Sequence, residues 1–206
     1  MDKKQKGIEF EFLAVIDYEK SPEEAVGAGK YPWVHPVLEG LVSGVIMPGD
    51  EGFLSFRDLY LKYLEDRHHT LKEEAYSATR SWIEMHCLGT RMRKISLKCF
   101  GEKLKSKEVG ARLKELCLRP AGIEDHLAAG EWTLEHGCKF TVVSLGATWR
   151  LFEPADAYIK DGEVKNGKFA KMTAVLKQVP DRQLTFMDYD TEWPENVYFA
   201  AVPDEE

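Results

Sequence analysis

The chain has 206 residues, 44% of them hydrophobic and 31% charged, with a formal net charge of −7. At that size a compact fold buries roughly 70% of its extended-chain surface without staples, and no apolar run approaches the length of a membrane span. Its four cysteines, Cys87, Cys99, Cys117 and Cys138, are widely spaced with no secretory segment before them, which predicts reduced thiols in a cytoplasmic protein.

Residues 9–18 alternate Phe10, Phe12, Ala14, Ile16 and Tyr18 against Glu9, Glu11 and Asp17, while Leu13 and Val15 make the centre apolar on both faces. The pattern predicts a strand that becomes covered on both sides midway. Ser21-Pro22-Glu23-Glu24 opens a helix with a capping hydroxyl, proline in the first turn and carboxylates near the amide dipole. Gly27 and Gly29 keep it short. Tyr31, Pro32, Trp33 and Pro36 then predict an extended, core-plugging loop. Residues 37–54 are punctuated by glycine, with a turn at Pro48-Gly49-Asp50.

Ser55 followed by Asp58 marks the next helix start, with Phe56, Leu59, Tyr60, Tyr63 and Leu64 as its apolar stripe. Thr70 followed by Glu73 has the spacing of a capping box for a second helix, along which Leu71, Ala75, Ala78, Trp82 and Met85 share a side. Residues 55–88 therefore read as a helical hairpin with Arg67, His68 and His69 in its turn. A strand with one wet face follows over 92–100.

The clearest supersecondary unit lies between Val109 and Phe152. Val109, Leu113, Leu116 and Cys117 recur along one helical stripe, Arg119-Pro120 ends that helix, and a second helix carrying Ile123, Leu127 and Ala128 runs to a stop at Gly130. Ser106 is positioned to cap the first helix. Strands follow over 139–145, 147–152, 169–177, 183–189 and 197–202, separated by turns such as Lys160-Asp161-Gly162, and the economical arrangement is a meander. The tail 203–206 reads as frayed.

Charge is distributed unevenly: the balance is −6 over residues 1–90, +7 over 91–119 and −8 over 120–206. The basic segment supplies Arg91, Arg93, Lys94, Lys98, Lys103, Lys105 and Lys107 as candidate nucleic-acid contacts. Phe100 is its only aromatic residue, so it lacks the stacking side chains of single-strand grooves, and a solvated face complementing acidic neighbours fits it better. No metal site is expected, because His86-Cys87 and His136-Gly137-Cys138 do not give the paired spacing that zinc uses. Cys138 with His136 or His126, and Asp125 or Glu135, holds the residue types of a thiol enzyme without its local signature. Cys99 and Cys117 read as small hydrophobes of the core. The acidic run 188–192 reads as a solvated turn, and phosphate-cradling glycine loops, calcium loops and the serine elbow are absent.

Leu118-Arg119-Pro120-Ala121, Glu124, Leu127-Ala128, Gly130, Val143, Leu145-Gly146, Trp149 and Phe199-Ala200-Ala201-Val202 form a pattern that resembles a family of uncharacterised bacterial proteins. Val15-Ile16-Asp17-Tyr18, Ser21, Glu23 and residues 28–34 are similar to that family's start. The resemblance covers about half of the chain. It implies a bacterial or phage-linked origin and a shared scaffold, and nothing catalytic. The chain departs from the pattern between Glu39 and Thr90, where the hairpin is added.

These readings converge on a single α+β unit spanning residues 1–206, with an alternative subdomain boundary near 90. It has a mixed or antiparallel sheet, a C-terminal β-meander, packed helices and the inserted hairpin. The expected role is protein binding or regulation without catalysis or cofactor. Tyr31, Trp33, Tyr189, Trp193, His68 and His69 are the candidate partner contacts, with Trp149 as a further aromatic surface. Nucleic-acid binding through 91–119 and a thiol enzyme centred on Cys138 are the alternatives.

Overall fold

In a computed structural model, residues 9–34, 55–66, 68–153, 158–160, 163–165, 168–178 and 181–204 are described. The fold is α+β, and among these residues no helix is long and apolar enough to cross a membrane. Strand β1 (Glu9–Asp17) leads to helix α1 (Pro22–Ala28) and strand β2 (Trp33–Val34). Helices α2 (Phe56–Asp66) and α3 (Glu73–His86) form the predicted hairpin around a 3-10 turn at His68–Thr70. Next come β3 (Thr90–Lys98), β4 (Leu104–Lys105), α4 (Ser106–Glu115), β5 (Leu118–Pro120) and α5 (Ile123–Glu135). The remainder is β structure: β6 (Val142–Glu153), β7 (Tyr158–Lys160), β8 (Glu163–Lys165), β9 (Lys168–Lys177), β10 (Gln183–Asp188), β11 (Glu192–Trp193) and β12 (Tyr198–Pro203).

The main sheet runs β1-β3-β12-β6-β9-β10-β2, with β5 beside the end of β12. Strands β6, β9 and β10 pair antiparallel in succession, as a meander does. The last strand leaves that sequence, because β12 crosses back to lie antiparallel to β3 and parallel to β6. Its composition explains the central place. Tyr198, Ala200 and Val202 enter one core while Val197, Phe199 and Ala201 enter the other, so a strand apolar on both faces takes the position covered on both. Helix α5 and the hairpin residues Leu64 and Ile83 pack on the first face, and α4 packs on the second through Val109 and Leu113. Strands β1 and β3 pair from Glu9↔Lys98 to Asp17↔Thr90, across the position of the alternative boundary.

Local chemistry agrees with the expected starts in two places. Ser21 Oγ accepts from Glu24 N at 3.1 Å while the Glu24 carboxylate accepts from Ser21 N at 3.0 Å, and Ser55 Oγ accepts from Asp58 N at 3.1 Å. The second helix of the hairpin does not start at Thr70. Helix α3 begins at Glu73 with Lys72 at its cap and no side-chain cap bond, because Thr70 belongs to the 3-10 turn. Ser106 is likewise inside α4, and its hydroxyl turns to the core instead, donating to Tyr189 O and accepting from Trp193 Nε1.

Three expectations about the central unit are corrected. Pro120 belongs to strand β5, whose Leu118–Pro120 pair with Ala201–Pro203, so the chain between α4 and α5 is sheet rather than a helix break. Gly130 does not stop α5. The helix continues to Glu135 and ends at Gly137, which holds the left-handed φ of +61° that a helix stop requires. A Cβ on Gly130 would sit 1.8 Å from the Tyr31 hydroxyl, so that glycine is there for close packing. Cys117 is exposed, since α4 ends two residues before it and the residue adopts a φ of +56°.

Strand β1 holds the correction with the greatest consequence. Its inner side packs as expected, Phe12 stacking on Trp132 at 4.5 Å and Phe10 lying 5.3 Å from Phe140. Its other side is not covered midway: Leu13 and Val15 are each 64% exposed. The second core, under α4, takes buried main-sheet residues from β6, β9 and β12, with Leu118 of β5 and Met187 of β10 packed against it, and none from β1.

Candidate functional site

The start of α5 is where polar groups enter the interior. Gly122 stands at the cap, and Asp125 Oδ2 accepts from Gly122 N at 3.1 Å, tying down one of the amide donors left free at a helix start. Glu124 and Asp125 lie in the first turn, where the helix dipole favours negative charge. Strand β6 makes room for this turn by a bulge between Ser144 and Thr148. Gly146 within that bulge has no side chain to collide with Ala121 O, which lies 2.4 Å from the place a Cβ would occupy. Ser144 Oγ donates to Ala121 O at 2.7 Å, and Thr173 Oγ1 donates to Ser144 O at 2.7 Å. Ala121 and Glu124 on one side and Leu145-Gly146 on the other, quoted above for one sequence pattern, are therefore neighbours for a packing reason.

Arg93 of β3 reaches this turn with a side chain only 20% exposed. Its Nη1 donates to Asp125 at 3.3 Å and lies 3.5 Å from Glu124 Oε1. The Tyr60 hydroxyl of α2 donates to Glu124 Oε2. Burial, reinforced by the charge of Asp125, raises the Glu124 carboxyl from its ordinary 4.5 to about 7, against the opposing effects of Tyr60 and Arg93. Burial and then the Glu124 charge raise the Tyr18 and Tyr60 hydroxyls, and they push the Cys87 thiol up to about 11. Glu124 also faces a cavity of about 230 Å³ between the end of β1, α1 and α5. Ile16, Ala25 and Leu127 give it apolar walls, and Asp17, Lys20 and Glu131 bring further charge.

A pH titration tests the state of this carboxyl. The folded pKa lies above the unfolded one, so the associated stability is present below pH 4.5 and is lost as pH rises through about 7. Glu124→Gln removes that loss. Relative to the variant, the wild-type protein is expected to be less stable at pH 8 than at pH 5, by on the order of 3 kcal/mol in urea unfolding. Parallel stability curves for the two proteins would show that Glu124 is ionised throughout.

The candidate contacts fall in different settings. Trp193 is 1% exposed, with its indole N–H donated to Ser106 Oγ at 2.9 Å, so it is a core residue rather than a surface contact. Tyr31 is half-buried beneath the Arg182 guanidinium, 4.8 Å from the ring centroid, and its hydroxyl has no hydrogen-bond partner among the described residues. Arg182 Nε donates to Gly29 O at 2.9 Å and Nη2 donates to Gly130 O, which pins the end of α1 to α5. Tyr189 is half-buried with Lys171 Nζ 3.6 Å from its ring centre. His68 Nε2 lies 3.0 Å from Glu73 Oε2, and His69 is exposed beside it. Trp33 and Trp149 lie on strands β2 and β6, and their side chains fall outside the described residues.

Much of the basic segment is engaged within the protein. Arg91 Nη2 donates to Met85 O at 3.0 Å, Lys94 pairs with Glu11 at 2.8 Å, and Lys98, only 8% exposed, pairs with Glu9 at 2.7 Å. With Arg93 at Glu124 and Asp125, four of the seven candidate contacts are engaged, and the other three, Lys103, Lys105 and Lys107, are exposed. Cys138 is half-buried, and burial raises its thiol pKa, the opposite of what an activated nucleophile needs. His136 Nδ1 lies 2.8 Å from Trp132 O and its ring stacks on that indole, while His126 is fully buried on α5. Among the described residues, no three His, Cys, Asp or Glu side chains converge as they would around a metal ion.

Two features carry information that sequence reading did not extract. One is the Arg93–Glu124 pairing. The other is an apolar face on the β1–β3 pair. Register places Val15 opposite Met92 and Leu13 opposite Lys94, so Leu13, Val15 and Met92 share one side, exposed by 64%, 64% and 68%. No family model, no curated protein and no solved structure matches this chain.

Proposed function

We propose that this chain is a protein-binding module whose contact surface is the outer side of the β1–β3 pair. The observation that supports it is the shared exposure of Leu13, Val15 and Met92. Scattered apolar residues on a surface are ordinary, but neighbours on one side of a strand pair make a continuous patch, and such patches mark interaction sites. The edge supports the same reading. Strand β1 ends the sheet, and among the described residues no strand pairs with its outer edge. An open edge beside an apolar face favours association with another polypeptide.

The test compares the full chain with a Leu13→Lys/Val15→Lys/Met92→Lys variant. All three side chains point to water, so the variant is expected to keep the wild-type circular dichroism spectrum and melting profile. Affinity capture from the native host is expected to yield a stoichiometric protein partner with the wild type and none with the variant. Equal recovery by both proteins would remove this surface from consideration.

A further inference from the structure

The apolar face and the cavity meet at Val15, which belongs to the one and lines the other. At about 230 Å³ the cavity is smaller than the usual pocket for a drug-sized ligand and has room for one long side chain. Its charge is unbalanced. Asp17, Glu124 and Glu131 face it against Lys20 alone, and Arg93 compensates Glu124 from the interior side. Asp17 Oδ1 accepts from Glu19 N at 3.0 Å, which among the described residues leaves its second oxygen for another donor. The walls formed by Ile16, Ala25 and Leu127 suit an aliphatic stem.

A strand added to the outer edge of β1 would alternate its side chains between the two sides of the sheet. One set would lie beside Leu13 and Val15. The other would lie on the α5 side, where β1 packs against that helix and the cavity opens between them.

Building on the binding surface proposed above, we propose that the partner is an extended basic segment of another protein. It pairs along the outer edge of β1, sets apolar side chains against Leu13 and Val15, and inserts a lysine or arginine between Asp17, Glu124 and Glu131.

The probe is a library of random peptides displayed on phage and selected on the immobilised full chain. Selected sequences are expected to carry lysine or arginine with aliphatic residues at alternate positions. A synthetic peptide of the selected sequence is expected to bind Asp17→Asn/Glu131→Gln about 10-fold more weakly than wild type, with the difference shrinking in high salt. Both substitutions keep side-chain shape at the cavity rim, so folding is preserved. Recovery of no peptide, or of peptides without basic residues, would overturn the proposal. A host partner lost by the Leu13→Lys/Val15→Lys/Met92→Lys variant yet held at full strength by Asp17→Asn/Glu131→Gln would also overturn it, while leaving the apolar surface standing. Self-association abolished by the first variant, with no peptide selected, would identify a second copy of the chain as the occupant and sink the basic segment.

Discussion

Arg93→Met is expected to lower the thermal midpoint at pH 8 by about 10 °C, the loss of roughly 3–5 kcal/mol that follows when one member of a buried ionic group is removed. The physical reason is the asymmetry of buried charge. Glu124 and Asp125 are 7% and 0% exposed, and Arg93 is the cation that stands between them and the low-dielectric interior. Methionine keeps most of the arginine stem and therefore most of its packing against β1 and α5, so the change isolates the charge. Asp125 still holds Gly122 N, and the helix start remains capped. What the variant lacks is compensation for two neighbouring carboxylates.

Two further measurements separate this account from simple loss of packing. One carboxyl can relieve the strain by taking up a proton, and Glu124 is already raised to about 7 in the wild-type protein by burial and by Asp125. The penalty of Arg93→Met should therefore shrink as pH falls from 8 to 5. Glu124→Gln in the Arg93→Met background should recover most of the lost stability, since neighbouring groups in one network are strongly non-additive. A midpoint within about 2 °C of wild type at pH 8, or a penalty independent of pH, would show that the cluster is solvated rather than held by Arg93.

Sequence reading and structure part company where contacts are long-range. Alternation was enough to locate β1, β3, β9, β10 and β12, and Ser21 with Glu24 declared a helix start, because those signals are written in neighbouring residues. Alternation also showed that β1 is apolar on both faces. It could not show that the second core under α4 would include no residue of β1, and the exposed Leu13 and Val15 became part of the candidate contact surface. Trp193 looked like a surface aromatic among Asp190, Glu192, Pro194 and Glu195. Its N–H partner is Ser106, 87 residues earlier, and that pairing takes it inside. Glu124 was visible only as one member of a motif. Its character comes from Tyr60 and Arg93, 64 and 31 residues away, and no local pattern announces such a meeting.

The same limit explains His126, which read as one of two optional partners for Cys138 and is instead the group that should govern acid stability. It is 0% exposed, neither ring nitrogen has a hydrogen-bond partner among the described residues, and burial lowers its pKa from 6.5 to about 3. The unfolded chain therefore binds a proton that the folded chain refuses. Stability from this source is present above pH 6.5 and is lost as pH falls toward 3, amounting to about 2 kcal/mol by pH 5 and roughly 5 kcal/mol in full. Glu124 acts with the opposite sign over part of the same range, since it gains a proton in the folded protein on acidification. His126→Leu removes one side of this opposition together with two unsatisfied polar atoms. It is expected to be more stable than wild type at pH 7 by about 1–3 kcal/mol, and by a larger margin at pH 5. In Glu124→Gln the reverse holds, and acid unfolding should steepen because the histidine acts unopposed. Chemical denaturation of the three proteins at pH 5, 6, 7 and 8 measures all of these slopes. If His126→Leu and wild type lose stability equally between pH 7 and pH 5, His126 is already protonated or hydrated in the folded state, and the apolar seal around α5 is not what holds it neutral.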